Sequence, residues 1–196
     1  MSFGSFHTAL TAGDLLYMLQ GALVTLSITF LAVLGGTVPG SRSDWSGLSP
    51  QWWVNGPVGA VLDVFRSVPL LIQFVLANSF KSIIGLDLSV FAVGCIVLAV
   101  YKSAYCTEIV RAGVLAVPVT TRRAARSLGM SWHQDLLYIV APAALRVVLP
   151  SWIGLTLGVM KDSALVLWIG IIELLRASQS VITRIQEPLF VLSVTG

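Results

Sequence analysis

Charge is what this chain has least of. Only 11% of its 196 residues are Asp, Glu, Lys or Arg, against about 25% in a soluble domain. Hydrophobic residues make up 56%, more than a chain of this length folding in water could hide in one core. An ordinary cytosolic enzyme, a disordered segment and a secreted disulfide scaffold are all poor fits. Cysteine is scarce as well. Cys95 and Cys106 sit in or beside an apolar run, match no metal spacing and imply no disulfide framework; both read as small hydrophobes of a membrane helix. The net charge is +3, yet no run of five or six basic residues occurs, so nucleic acid is not indicated. There is no Walker phosphate loop and no nucleophile elbow, so the chain cannot hydrolyse ATP alone. His7 and His133 lack a Cys or His at ligand spacing, and no metal site is expected. An integral membrane protein remains, with a single domain over 1–196.

Long uncharged runs are what the chain has instead. Leu15 to Ser41 holds 27 residues without a charge, more than the roughly 20 a spanning helix needs. The first basic residue, Arg42, follows that run and Asp14 precedes it, which excludes a signal peptide and places the N-terminus outside. Ser41 to Gly56 reads as a loop with Trp45, Trp52 and Trp53 at the membrane interface. Val58 to Phe80 predicts a second span that Pro69 should kink or restart. Leu88 to Arg111 predicts a third, carrying Lys102 inside it. Arg146 to Met160 predicts a fourth, followed by Lys161-Asp162-Ser163 and an apolar stretch to Ile172. Arg176 and Arg184 then fall on the outer side and fit the charge rule only in a re-entrant or surface helix. The residues after Glu187 turn apolar as if a fifth helix were beginning; too few follow to cross, and the expectation is a C-terminally incomplete domain.

Arg122, Arg123 and Arg126 make the largest basic concentration in the chain and mark a cytoplasmic loop. Within it, Ala124 and Ala125 favour a helix that allows close approach. Gly129 permits a turn that a Cβ would resist, and Pro142 suits the first turn of the next helix. The pattern predicts a short helix, a turn and a second helix, a knob fit for a partner's groove; a plain topology-setting basic loop is the other reading.

Arg123-Ala124-Ala125, then Gly129, then Ile139 and Pro142 resemble the EAA loop of bacterial ABC-importer permeases, with Arg123 in place of the usual Glu and Ala141 in place of the usual Leu. Phe65 to Gln73, Ser103 to Gly113, Lys161 to Leu165 and Glu173 to Ala177 resemble further stretches of the polar amino-acid permeases. The resemblance covers about residues 15 to 190. It implies an all-α membrane protein with the type I importer permease fold, four recognisable spanning helices and a truncated fifth. It implies a non-catalytic, multi-pass subunit of the bacterial inner membrane. Its partners would be a cytoplasmic ABC ATPase dimer that holds ATP and Mg, a second permease subunit in a homo- or heterodimer, and a periplasmic amino-acid-binding protein. The coupling loop would span about 118–142.

Candidate site residues follow from charge at membrane depth, which is expensive and functional by default. Lys161 and Asp162, with Ser163, could meet the two poles of an amino-acid zwitterion; a mutual ion pair is the alternative. Lys102, Tyr105 and Gln73 are weaker candidates for the substrate path. Asp63 with Arg66 and Glu108 with Arg111 stand three apart and are candidates for structural ion pairs. Two other functions compete: an intramembrane hydrolase using Ser163 and Lys161, and a channel subunit independent of ATP.

Overall fold

The computed structural model describes residues 10–47, 60, 63–186 and 188–195. His7, Trp52, Trp53 and the expected start of the second span at Val58 lie outside the described residues. Among the described residues there is no strand, as an all-α membrane protein requires. Helix α1 covers Ala12–Gly47. It starts where Thr11 and Asp14 cap each other: the Thr11 N–H and hydroxyl donate to Asp14 Oδ2 at 2.9 and 2.6 Å. It also runs past Ser41, so the first residues of the expected loop are helical. A polar tail continues a helix without penalty once it has left the apolar layer.

The expected second span is broken. A helical turn over 63–67 ends at Pro69, which has no N–H to continue it and instead precedes α2, Leu70–Ile83. Gln73 closes the break: its Nε2 donates to the Phe65 and Val68 carbonyls at 2.6 and 2.8 Å. Helix α3, Val90–Leu115, begins at Ser89, whose hydroxyl accepts from the Ala92 N–H at 3.1 Å. The short α4, Val119–Ser127, follows.

The next helix departs most from expectation. It does not start at Pro142 or Arg146. Ser131 and Gln134 form a capping box, so a continuous helical run begins at Trp132 and reaches Ile169 over 38 residues. The cap satisfies the orphan N–H groups eleven residues before Pro142. Asp135–Val140 is π-helical, a widened stretch just ahead of the proline, where the ring cannot donate a helix hydrogen bond. Within this run α5 is Ala141–Asp162 and a 3₁₀ segment covers Ser163–Ile169. Helix α6, Leu174–Ile185, and α7, Pro188–Thr195, close the described chain. Three helices are long and apolar enough to cross a membrane, Ala12–Val38, Val90–Leu115 and Trp132–Ile169, and Leu70–Ile83 is a shorter apolar one.

Packing fixes their directions. A Cβ on Gly94 would lie 3.7 Å from Val166, and one on Gly113 would lie 3.2 Å from the Ala144 carbonyl, so α3 and α5 run antiparallel. The Trp152 Nε1 donates to Thr37 Oγ1 at 3.1 Å, while Ile28 and Ala32 share a core with Val93, Val97, Val166 and Ile169. Helix α1 is therefore parallel to α3. Glycines set the closest approaches, as small residues do where lipid supplies no hydrophobic drive between helices. A Cβ on Gly36 would come within 2.7 Å of the Ala99 carbonyl, and one on Gly113 within 2.4 Å of Val148 Cγ2. Gly113→Val should therefore force α3 from α5 and cost about 1–3 kcal/mol, read as a lower unfolding temperature in detergent; an unchanged temperature would mean that the helices cross elsewhere.

Candidate functional site

Lys161 and Asp162 sit in the last turn of α5. Lys161 is exposed and Asp162 half-buried. Neighbouring side chains on a helix diverge by about 100°, and among the described residues neither forms an ion pair or hydrogen bond. The mutual pair considered for them is not formed. Ser163 is fully buried and donates to the Met160 carbonyl at 2.7 Å. Among the described residues that hydroxyl has no base within hydrogen-bond reach, so they give no nucleophile–base pair for hydrolysis at Ser163.

Lys102 is fully buried where α1, α3 and α5 meet. Its Nζ donates to Thr156 Oγ1 at 2.6 Å and lies 4.7 Å from the Trp152 ring centre. Trp152 in turn holds Thr37, and Thr156 donates to the Trp152 carbonyl at 2.8 Å. The ammonium is thus caged by a hydroxyl and an aromatic face, a cross-link of three spans. Tyr105 packs against Tyr101 with ring centres 4.8 Å apart and the ring planes inclined at 53°. Gln73 is buried and committed to the Pro69 break. Of the substrate-path candidates, then, only Lys161 and Asp162 carry charges that no ion pair or hydrogen bond meets among the described residues.

The two expected ion pairs, Asp63 with Arg66 and Glu108 with Arg111, join into one network. Asp63 pairs with Arg66; Arg66 Nη1 reaches Glu108 Oε1 at 3.0 Å; Glu108 Oε2 accepts from Arg111 Nη2 at 2.6 Å. The turn over 63–67 is thereby tied to α3 at one end of the bundle. The Arg66–Glu108 link joins residues far apart in the chain, beyond what three-residue spacing signals.

The loop after α3 is a compact knob. Of the residues of α4, Ala125 is buried, while Arg123 and Ala124 are exposed. The helix ends in a Schellman closure: the Met130 N–H donates to the Ala125 carbonyl at 3.2 Å and the Gly129 N–H to the Arg126 carbonyl at 3.0 Å. Gly129 takes φ +82, the left-handed conformation this closure requires. Leu128 is left 84% exposed at the tip. Beneath α4 the Asp135 carboxylate, 1% exposed, lies 3.4 Å from Arg122 Nε and 3.9 Å from Arg126 Nε. Val114, Val117, Leu136, Val140 and Ala144 pack as a small core under the knob. Ile139 is half-buried, and Pro142 is exposed.

Glu173 and Asp135 were not picked out by sequence reasoning. Glu173, 2% exposed, caps α6: its Oε2 and Oε1 accept from the Leu175 and Arg176 N–H groups at 2.9 and 2.7 Å. Thr25 of α1 donates to the same carboxylate at 3.4 Å. A Glu followed by an amphipathic stretch is a weak sign of a cap; Thr25, which completes the site, has no local sign at all. Arg184, near the end of α6, pairs with Asp14 at the start of α1, so both ends of α6 are fastened to α1.

Comparison with known proteins agrees with this geometry. Residues 33–192 match the model of the binding-protein-dependent transport system inner membrane component. A glutamine transport system permease protein of Escherichia coli is 29% identical over 170 residues, covering 84% of this chain and 76% of the relative. A probable amino-acid ABC transporter permease protein of Bacillus subtilis is 31% identical over 172 residues, covering 87% and 76%. The crystal structure of an amino acid ABC transporter with histidines superposes with a TM-score of 0.82 at 32% identity, covering 91% of this chain and 86% of that one. Bundle, knob and sequence together place this chain in the family of inner membrane components of binding-protein-dependent transport systems, as a multi-pass, non-catalytic permease subunit with the ABC-importer fold.

Proposed function

We propose that the chain is the membrane subunit of an ATP-driven importer of polar amino acids. The single observation that carries the substrate reading is the adjacent Lys161 and Asp162, one cation and one anion in a spanning helix run with no ion pair or hydrogen bond to their side chains among the described residues. An ammonium and a carboxylate on one substrate would use both through charge-assisted hydrogen bonds. The relatives named for glutamine and amino-acid transport support that class. The knob about 118–142 would dock on a cytoplasmic ATPase dimer, which would hold ATP and Mg²⁺. A soluble binding protein would deliver substrate from outside, and a second permease subunit would complete the pathway. Arg122, Arg123 and Arg126 on the knob side, with Asp14 at the opposite end of α1, favour an outside N-terminus by the positive-inside rule. Work enters because the two nucleotide states of the ATPase would prefer different knob positions; a partner without that preference could shift nothing.

Asp162→Asn tests the site. It removes a charge that no other described residue needs, so unfolding temperature should stay unchanged. Uptake of a cationic amino acid should fall about tenfold, the scale of one lost charge-assisted hydrogen bond. Unchanged uptake together with a lower unfolding temperature would make Asp162 structural.

A further inference from the structure

The knob carries charge it does not neutralise. Arg122, Arg123 and Arg126 line, with Val119, Ser127 and Asp135, a shallow concavity of about 600 Å³. Asp135 is the only carboxylate in the sequence between Glu108 and Asp162. Its Oδ2 faces Arg122 and Arg126, and its Oδ1 is buried without a hydrogen-bond partner. One carboxylate thus serves two guanidinium groups. Arg123, exposed on the adjoining face, has no ion pair or hydrogen bond from its side chain among the described residues. Three cations on a helix of nine residues against one anion beneath it leave the knob a local excess of two positive charges.

A membrane-surface helix would need an apolar stripe beside the cations. Helix α4 has none: its flanking apolar residues, Val119 and Leu128, are 61% and 84% exposed and stand nine positions apart, on opposite sides of a helix of 3.6 residues per turn. Cations spread between two isolated apolar knobs suit a protein socket instead. Guanidinium groups favour planar, two-point contact with carboxylates. We infer that the surface receiving this knob is acidic, with a carboxylate side chain set against Arg123 and Arg126, and that Asp135 acts from beneath to hold Arg122 and Arg126 toward it. The inference rests on the proposed docking to an ATPase subunit and specifies the chemistry of that partner. It makes charge the selector: a partner with a basic socket is rejected by like-charge repulsion.

The test is co-purification of the complete membrane complex in detergent, scored as ATPase subunit retained per permease chain. Arg123→Glu should cut retention about tenfold, while Arg123→Lys, which keeps the charge but not the two-point contact, should cut it less, to between the Glu variant and the natural level. Retention of the natural complex should also drop several-fold as salt rises, because exposed charge pairs are screened. Arg123→Gln, which leaves no like charge beside Asp135, serves if the Glu variant unfolds at a lower temperature. Leu128→Asp separates the two ideas. If it releases the ATPase while the Arg123 variants and salt have no effect, docking stands and the acidic partner is wrong. If neither Leu128→Asp nor the Arg123 variants matter, both fall. If Arg123→Glu spares the ATPase but lowers binding to phosphatidylglycerol vesicles, the site is for lipid and the inference is overturned.

Discussion

Gly129→Val should abolish coupled transport while leaving the membrane bundle folded. Gly129 sits at φ +82, and a Cβ there would meet nothing within 4 Å; the penalty is therefore conformational, not a clash. A β-branched residue in the left-handed region costs on the order of 1–3 kcal/mol, and the cheaper response is to give up the closure. The Met130 and Gly129 N–H bonds to Ala125 and Arg126 would open, and α4 would lose its fixed angle to the helix starting at Trp132. Leu128 and Arg123 would no longer be presented together. Substrate-stimulated ATP hydrolysis and uptake should both drop at least about tenfold, with Gly129→Ala milder because it lacks the branch. The unfolding temperature should shift little, since the core of Ile28, Phe74 and Leu98 lies in another part of the bundle. Normal assembly with normal stimulated hydrolysis would remove the knob from the mechanism.

Glu173→Ala should produce the largest loss of stability. Removing the carboxylate strips α6 of its cap, worth about 0.5–2 kcal/mol. Beyond those two N–H bonds, it leaves the buried Thr25 hydroxyl without its acceptor, which costs about 1–3 kcal/mol. Repacking is restricted because a Cβ on Gly21 would already stand 3.0 Å from the Glu173 carbonyl and from Ala177. The α1–α6 contact should loosen, seen as faster hydrogen exchange over 174–185 and a lower unfolding temperature. Glu173→Gln keeps one acceptor and should fall between the two. If Ala and natural forms exchange alike, the carboxylate is not what fastens α6.

These two residues also mark where the sequence could and could not be read. Gly129 was legible because an Ala pair, a glycine and a basic cluster are all local signs, and a Schellman closure is built from six neighbouring residues. Pro69 was legible for the same reason: a missing N–H breaks a helix wherever it falls. The start of the next helix was misplaced because two signals competed. Pro142 resembles a first-turn proline, while Ser131 and Gln134 carry the capping box that the structure uses; the π-helical stretch between them absorbs the proline. Glu173, Lys102 and the Arg66–Glu108 pair were opaque in a different way. Sequence could flag Lys102 as a charge in a span, but its cage of Thr156 and Trp152, the latter bonded in turn to Thr37, is assembled from two other helices. A buried charge reads alike whether it waits for a substrate or cross-links three spans, until its partners are seen.

Uptake by proteoliposomes holding the permease, its ATPase and the binding protein tests the account most directly. With ATP on the ATPase side, a labelled polar amino acid should accumulate against its gradient. Accumulation should stop when ATP is withheld and should be lost in the Gly129→Val complex at unchanged permease content. Equal uptake without ATP, or without the ATPase subunit, would contradict the account and make the chain a passive pathway.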